Sequence, residues 1–157
     1  MICDYLETPI GILKIYLSSK GICHIDIAKV NDDHIFNKKG ENSRIDECKS
    51  QLLQYFDGQL KEFDLKLDIQ ATEFQMMIWN EVKKIPYGEI ATYSDIAKNI
   101  GKPGASRAVG GVLNKNPIPI IIPCHRVIAK NGRLTGFKWG LKLKEYLLRH
   151  EGVKQSV

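Results

Sequence analysis

Cys124 lies in the string "IIIPCHRV", with Pro123 before it and His125 and Arg126 after it. A thiol, an imidazole and a guanidinium in consecutive positions are the parts of a nucleophile, a base and a charge partner. An ordinary cysteine has a pKa of about 8.5 and is only a few per cent thiolate at neutral pH, so activation needs a base, a cation or a helix N-terminus. His125 is adjacent, yet neighbouring side chains on an extended chain point to opposite faces. Contact between the two therefore needs a sharp bend or a bridging water. Pro123 holds Ile122 extended and so delivers Cys124 at the end of an apolar strand, where such a bend can begin. His125 in turn needs a carboxylate to fix its tautomer. Taken alone, a Cys-His pair is more often structural than catalytic. Two other cysteine chemistries fit poorly. "CHRVIAK" ends in lysine and lacks the glycines of a phosphate cradle, and nothing speaks for a protease's oxyanion donors or substrate cleft.

The elements that must position these residues change character at Gln70. The chain has 157 residues, 43% of them apolar, enough for one ordinary domain or two small ones with a real core. "YLETPIGILKIYLSSKGICHIDIAKV" alternates β-branched and polar residues and breaks at Pro9-Ile10-Gly11 and at Ser18–Gly21, which predicts two or three antiparallel strands. Residues 31–44 read as a polar loop and 45–58 as a helix, with Cys48, Leu52, Leu53 and Phe56 at helical spacing. "EFDLKLDI" (62–69) alternates strictly and predicts another strand.

Beyond Gln70, "ATEFQMMIWNEVKKI" puts Phe74, Met77, Ile78 and Val82 on one face and stops at Pro86-Tyr87-Gly88. Thr92 can cap "YSDIAKNI", which Gly101 ends, and after Pro103-Gly104 "ASRAVGGVLNKN" forms the next helix. Two short helices across such a turn have the outline of a helix-turn-helix. "LKLKEYLLRHEG" is an amphipathic helix stopped by Gly152.

Charge separates the halves as well. Residues 1–70 carry 9 Lys/Arg against 12 Asp/Glu, and residues 71–157 carry 14 against 6. A basic C-terminal half suits either a polyanion partner or a merely solvated surface. No stretch approaches the ~20 apolar residues of a bilayer span and the start lacks a secretory pattern, so a cytoplasmic protein without membrane association is expected. Cys3, Cys23, Cys48 and Cys124 show no CxxC spacing, which speaks against a zinc ribbon or a redox pair. The helix from Ala105 carries the small residues Ala105, Ser106, Ala108, Gly110 and Gly111 around one long cation, Arg107. Small residues let a helix backbone come close to a partner, either another helix or a narrow minor groove; the basic surroundings favour the groove.

"NPIPIIIPCHRV", with "PYGEIATYSDIA", "SRAVGGVLNKNP" and "LLRHEG" in order over residues 74–152, closely resembles the O6-alkylguanine-DNA alkyltransferases, the methylated-DNA–protein-cysteine methyltransferases. The resemblance implies an α/β (α+β) protein. Its domains are an N-terminal antiparallel sheet with a helix over 1–70 and a C-terminal helical domain with a winged-helix-like helix-turn-helix over 71–157. It also implies direct, irreversible transfer of an alkyl group from O6-alkylguanine in double-stranded DNA to Cys124, by a monomer without cofactor or metal, with O4-alkylthymine left open as a second lesion. Each chain would act once. Under this resemblance His125 acts on Cys124 through a water and is oriented by Glu151. Asn116 braces the active-site turn, and Tyr93 assists nucleotide rotation and protonates the base. Arg107 fills the hole left in the duplex, while Ala105, Ser106, Ala108 and Gly110 line the minor groove. Leu113, Pro119, Val127, Phe137, Lys138 and Trp139 form the base pocket. Here "GFKWG" departs from the family's frequent Gly-Tyr-Ser/Ala-Gly-Gly, and the Trp139 indole would narrow the range of alkyl groups accepted. Two rivals remain. A damage sensor of the alkyltransferase-like kind would replace the cysteine, and a plain winged-helix regulator would not need Asn116, His125 and Glu151 together.

Overall fold

The computed structural model describes residues 2–28 and 42–153. The chain divides into two compact units, Met1–Gln70 and Ala71–Val157. In the first, β1 (Ile2–Thr8), β2 (Gly11–Leu17) and β3 (Ile22–Ile27) form an antiparallel sheet in the order β1-β2-β3. Leu6 pairs with Leu13, and Ile15 with Ile25. Alternation decides which face is covered: Leu13, Ile15 and Leu17 of the central strand are buried, while Ile12, Lys14 and Tyr16 between them are only half-buried. Helix α1 (Ser43–Phe56) packs on the sheet and buries Ile45, Cys48, Leu52 and Tyr55 at three- and four-residue spacing. Burial pushes the Cys48 thiol up to about 12, so it serves as a small apolar group.

Two expectations for this unit need correcting. The loop expected over 31–44 lies outside the described residues as far as 41, and its last residues are helical: Asn42 accepts the Arg44 N–H at 2.9 Å and starts α1 at Ser43 rather than Ile45. The alternating segment 62–69 is not a strand. Only Leu67 bridges to Ile22, with the Ile22 N–H on the Lys66 carbonyl (2.9 Å) and the Asp68 N–H on the Ile22 carbonyl (2.8 Å). Gln51 of α1 explains why. Its amide binds both the N–H and the carbonyl of Asp64 at 2.9 Å, so backbone groups that a ladder would use are satisfied by a side chain.

The second unit holds α2 (Glu73–Val82), α3 (Tyr93–Asn99), α4 (Ser106–Leu113) and α5 (Leu141–His150). The two-residue strands β4 (Ala91–Thr92) and β5 (Val127–Ile128) pair in parallel. Thr72 and Thr92 each make a reciprocal capping box, with Gln75 and Asp95 respectively, which sets where α2 and α3 begin. Helix α2 buries Ile78, Trp79 and Val82, whereas Phe74 and Met77 are half-buried. Gly101 has a φ of +77° and ends α3, and α4 packs against α3 across the following turn. Val109 and Leu113 of α4 and Leu147 and Leu148 of α5 enter the core. Among the described residues, no helix is long and apolar enough to cross a membrane.

Among the described glycines of the first unit, Gly21 makes the tightest backbone approach. A Cβ there would lie 2.5 Å from the Lys66 carbonyl oxygen, a backbone atom that also receives the Ile22 N–H. Gly21→Ala should therefore cost more than ~1 kcal/mol of stability. A lowered urea midpoint at unchanged slope is the expected result; an unchanged midpoint would show that the 66–68 segment can shift freely.

Candidate active site

Cys124 does not end a strand. Residues 118–122 make a tight turn in which the Ile122 N–H donates to the Ile118 carbonyl at 3.0 Å, and Ile120 has a φ of +75°. That φ is strained for a β-branched residue, and the turn persists because Asn116 holds it. Asn116 is buried. Its Oδ1 accepts the Ile118 N–H (2.9 Å), and its Nδ2 donates to the Ile122 carbonyl (2.8 Å) and to Cys124 Sγ (3.0 Å). Local side-chain hydrogen bonds thus replace the strand pairing that the isoleucine run suggested. Pro123 then leads into a single 3-10 turn, Cys124–Arg126, which supplies the expected bend.

This turn aims His125 and Arg126 at one carboxylate. Glu151, just past the end of α5, sits 2.6 Å through Oε2 from His125 Nε2. Arg126 donates Nε to Oε1 at 2.7 Å and a terminal nitrogen to Oε2 at 3.2 Å, and its other terminal nitrogen donates to the Ile85 carbonyl at 2.7 Å. His125 is fully buried, and Arg126 and Glu151 are nearly so. The 85–88 turn closes against the same end of α5: the Tyr87 hydroxyl donates to the His150 carbonyl (3.3 Å), and a Cβ on Gly88 would come within 3.2 Å of the Glu151 carbonyl oxygen. Among the described residues, His125 Nδ1 is the buried side-chain nitrogen or oxygen left without a hydrogen-bond partner.

Lys144 of α5 is fully buried beside this group. Its ammonium donates to the carbonyls of Val127 (2.7 Å), Thr135 (2.9 Å) and Gly136 (3.3 Å). Tyr93, the first residue of α3, donates its hydroxyl to the same Thr135 carbonyl at 2.7 Å. Tyr93, Ser106, Arg107, Gly110, Asn114, Thr135 and Gly136 are among the residues lining a cleft of about 500 Å³.

Burial dominates the electrostatics. It pushes the Cys124 thiol up to about 11, against the Asn116 hydrogen bond and the charges of Lys144 and Lys138. Burial lowers the His125 pKa and outweighs the contact with Glu151. For Glu151, burial would raise the pKa, but His125 and Arg126 together hold the carboxyl well below the usual range. Burial lowers Lys144 to about 8, partly offset by Cys124. The arrangement at rest is a neutral thiol, a neutral imidazole and an ionised carboxylate. Because an ionised carboxylate only accepts, the imidazole proton belongs on Nε2, and Nδ1 presents a lone pair.

The remaining residues singled out from the sequence lie as follows. Arg107 and Ala108 are exposed on α4, Ser106 and Gly110 are half-buried, and Ala105 is the residue before the helix. Gly111 has open space above it, and a Cβ on Gly110 would meet only the Tyr93 ring, at 3.7 Å. The exposed small residues of α4 are therefore not explained by a close helix crossing. Leu113, Pro119 and Val127 are buried. Phe137 and Trp139 are half-buried and meet edge to face with centroids 6.2 Å apart, Lys138 is exposed, and none of the three lines the cleft beside Tyr93. Sequence reasoning missed Lys144, Asn114 and the grip of Arg126 on Glu151. A signal for Lys144 existed: Lys144, Leu147, Leu148 and Glu151 share one helix face, so a lysine stands on the apolar stripe. No group of three or more His, Cys, Asp or Glu is placed to hold a metal ion among the described residues.

Comparison with known proteins covers both units. The family model for the DNA-binding domain of 6-O-methylguanine DNA methyltransferase matches residues 73–153, and that for its ribonuclease-like domain matches residues 1–69. A methylated-DNA–protein-cysteine methyltransferase of Methanosarcina acetivorans is 48% identical over 152 residues, 93% of this chain and 95% of that one. The crystal structure of Mycobacterium tuberculosis OGT in complex with DNA superposes with a TM-score of 0.84 at 38% identity, covering 95% of this chain and 91% of that one. Schizosaccharomyces pombe Atl1, in complex with damaged DNA containing O6-carboxymethylguanine, reaches a TM-score of 0.50 at 31% identity over 54% of this chain and 81% of its own.

Lys144 carries the prediction here. Lys144→Met removes a cation whose field favours the Cys124 thiolate, so the thiol should react more slowly with iodoacetamide near neutral pH. A rise of about one unit in the thiol's midpoint corresponds to roughly a tenfold loss. Peptide mass analysis would separate Cys124 from Cys3, Cys23 and Cys48. An unchanged pH dependence of labelling would leave Lys144 only its carbonyl contacts.

Proposed function

We propose a function from one premise: this chain belongs to the 6-O-methylguanine DNA methyltransferase family. It repairs DNA by moving the alkyl group of O6-alkylguanine irreversibly onto its own Cys124. The observation that carries this reading is Asn116 donating to Cys124 Sγ at 3.0 Å while His125, anchored on Glu151 at 2.6 Å, keeps an open Nδ1.

DNA is the partner, met through the minor groove by α3, α4 and the turn between them, used as a winged-helix-like helix-turn-helix. Arg107 supplies the long side chain that fills the space of the rotated nucleotide, and Ala105, Ser106, Ala108 and Gly110 let the α4 backbone approach the groove. Extruding the base costs a few kcal/mol, less where damage weakens pairing. Leu113, Pro119 and Val127 form the pocket wall, with Phe137, Lys138 and Trp139 at its outer edge. The thiol proton passes through a water to His125 Nδ1, and the imidazolium so formed is stabilised by Glu151. Sulfur then attacks the alkyl carbon. The C–S bond forms, the C–O6 bond breaks, and its electron pair stays on guanine. Guanine takes up a proton through the Tyr93 hydroxyl, which must first leave the Thr135 carbonyl. The proton held by His125 balances the one taken by guanine, so the base departs neutral. Cysteine keeps the alkyl group as a thioether, no step needs a cofactor, and each chain acts once as a cytoplasmic monomer.

Incubation with duplex containing O6-methylguanine should raise the intact mass by one methyl group, localised to Cys124. Cys124→Ala should bind the duplex but remove no methyl, and methyl loss caused by that variant would overturn the reading. A protein that bound the lesion with Cys124 left unmodified would instead be a damage sensor.

Arg107→Ala should slow reaction with duplex far more than with free O6-methylguanine, because only the duplex must be opened and filled. Single-turnover rates on both substrates decide this, and equal losses would make Arg107 structural.

A further inference from the structure

Arg126 has no part in the proton path above, yet it is the most extensively bonded side chain around Glu151. It occupies Oε1 at 2.7 Å, shares Oε2 at 3.2 Å with the imidazole, and is itself fixed by the Ile85 carbonyl at 2.7 Å. The guanidinium also stands over the Tyr87 ring, 5.8 Å from its centroid. A planar fork on a carboxylate sets the plane of that carboxylate, so it sets where Oε2 meets His125. It also removes part of the negative charge that would otherwise draw a second proton onto the imidazole.

We infer that Arg126 is a positioning residue of the alkyl-transfer site: by sharing Glu151 with His125 it fixes the carboxylate's orientation and keeps the imidazole neutral, proton on Nε2 and lone pair at Nδ1. This rests on the proposed function, because a neutral Nδ1 matters only if a thiol proton must be received. The charged groups acting on His125 are Glu151, Arg126 and Lys144. Glu151 alone favours the imidazolium, while burial, Arg126 and Lys144 oppose it. Tyr87, beyond Arg126, has its own pKa raised, first by burial and then by the Glu151 charge. Without the guanidinium, the carboxylate's field on the imidazole is no longer shared, and the proton-receiving form should be lost at a higher pH than in the unsubstituted protein.

The test uses Arg126→Met and Arg126→Lys, with His125 followed by nitrogen NMR and methyl transfer from O6-methylguanine duplex followed across pH 5–9. In the methionine variant the His125 midpoint and the acid limb of the transfer rate should move up together by about one pH unit or more. The lysine variant keeps the charge and loses the fork, so it should restore most of the pH profile but not the full rate. A reduced rate with an unmoved His125 midpoint would make Arg126 merely structural and overturn the inference. If Arg126→Met does not fold, the unsubstituted protein decides. A neutral imidazole protonated on Nε2 at pH 7 is expected, and an imidazolium there overturns it. Failure of the functional reading would look different, since the unsubstituted protein would then transfer no methyl group at any pH.

Discussion

The carboxylate of Glu151 lies just beyond the last turn of α5, at the negative end of the helix dipole. A buried anion at that position is unfavourable unless cations and donors converge on it. His125 and Arg126 do so from the turn after Pro123, and the Ile85 carbonyl holds the far side of the guanidinium. Removing one member of such a buried group typically costs 3–5 kcal/mol, since the remainder is left charged without a partner. The end of α5, the 124–126 turn and the 85–88 turn are therefore one interlocked unit.

The nucleophile is built on strain. Ile120 occupies left-handed backbone space, a conformation of the kind that costs about 1–3 kcal/mol. Asn116 offsets this with bonds to both ends of the turn and reaches Sγ with the same amide that closes it. Stability and reactivity consequently share one side chain. Burial opposes reactivity, because it raises the thiol to about 11.

The segment around Thr135 is held twice. Its carbonyl accepts the Tyr93 hydroxyl at 2.7 Å and the Lys144 ammonium at 2.9 Å. The loop therefore keeps its tie to α5 through Lys144 independently of the Tyr93 hydroxyl. Gly136 adds a steric reason for this path of the chain. Its φ is +56°, in the left-handed region that favours glycine, and a Cβ would lie 3.1 Å from Asn114 Oδ1, so a larger residue would have to push the Asn114 side chain aside.

Local patterns were legible wherever a short-range rule decided the outcome. Alternation located β1 to β3, Thr92 located the start of α3, and the small-residue surface of α4 stood out from its residue types alone. The Cys-His-Arg string and its resemblance to a known family singled out Cys124 as the alkyl acceptor and pointed to His125 and the distant Glu151, which the fold brings within 2.6 Å of each other. Where two segments compete for the same hydrogen bonds, the sequence was misleading. Residues 62–69 alternate like a strand, but Gln51 satisfies Asp64; residues 120–122 look like a strand, but Asn116 folds them into a turn. The motifs, through the family they resemble, thus determined which chemistry this chain carries. Only the tertiary structure decided that Arg126 grips Glu151 and that a buried lysine joins Val127 to the 135–136 loop, because a buried charge finds its partners by position in space, and no periodicity along the chain encodes that position.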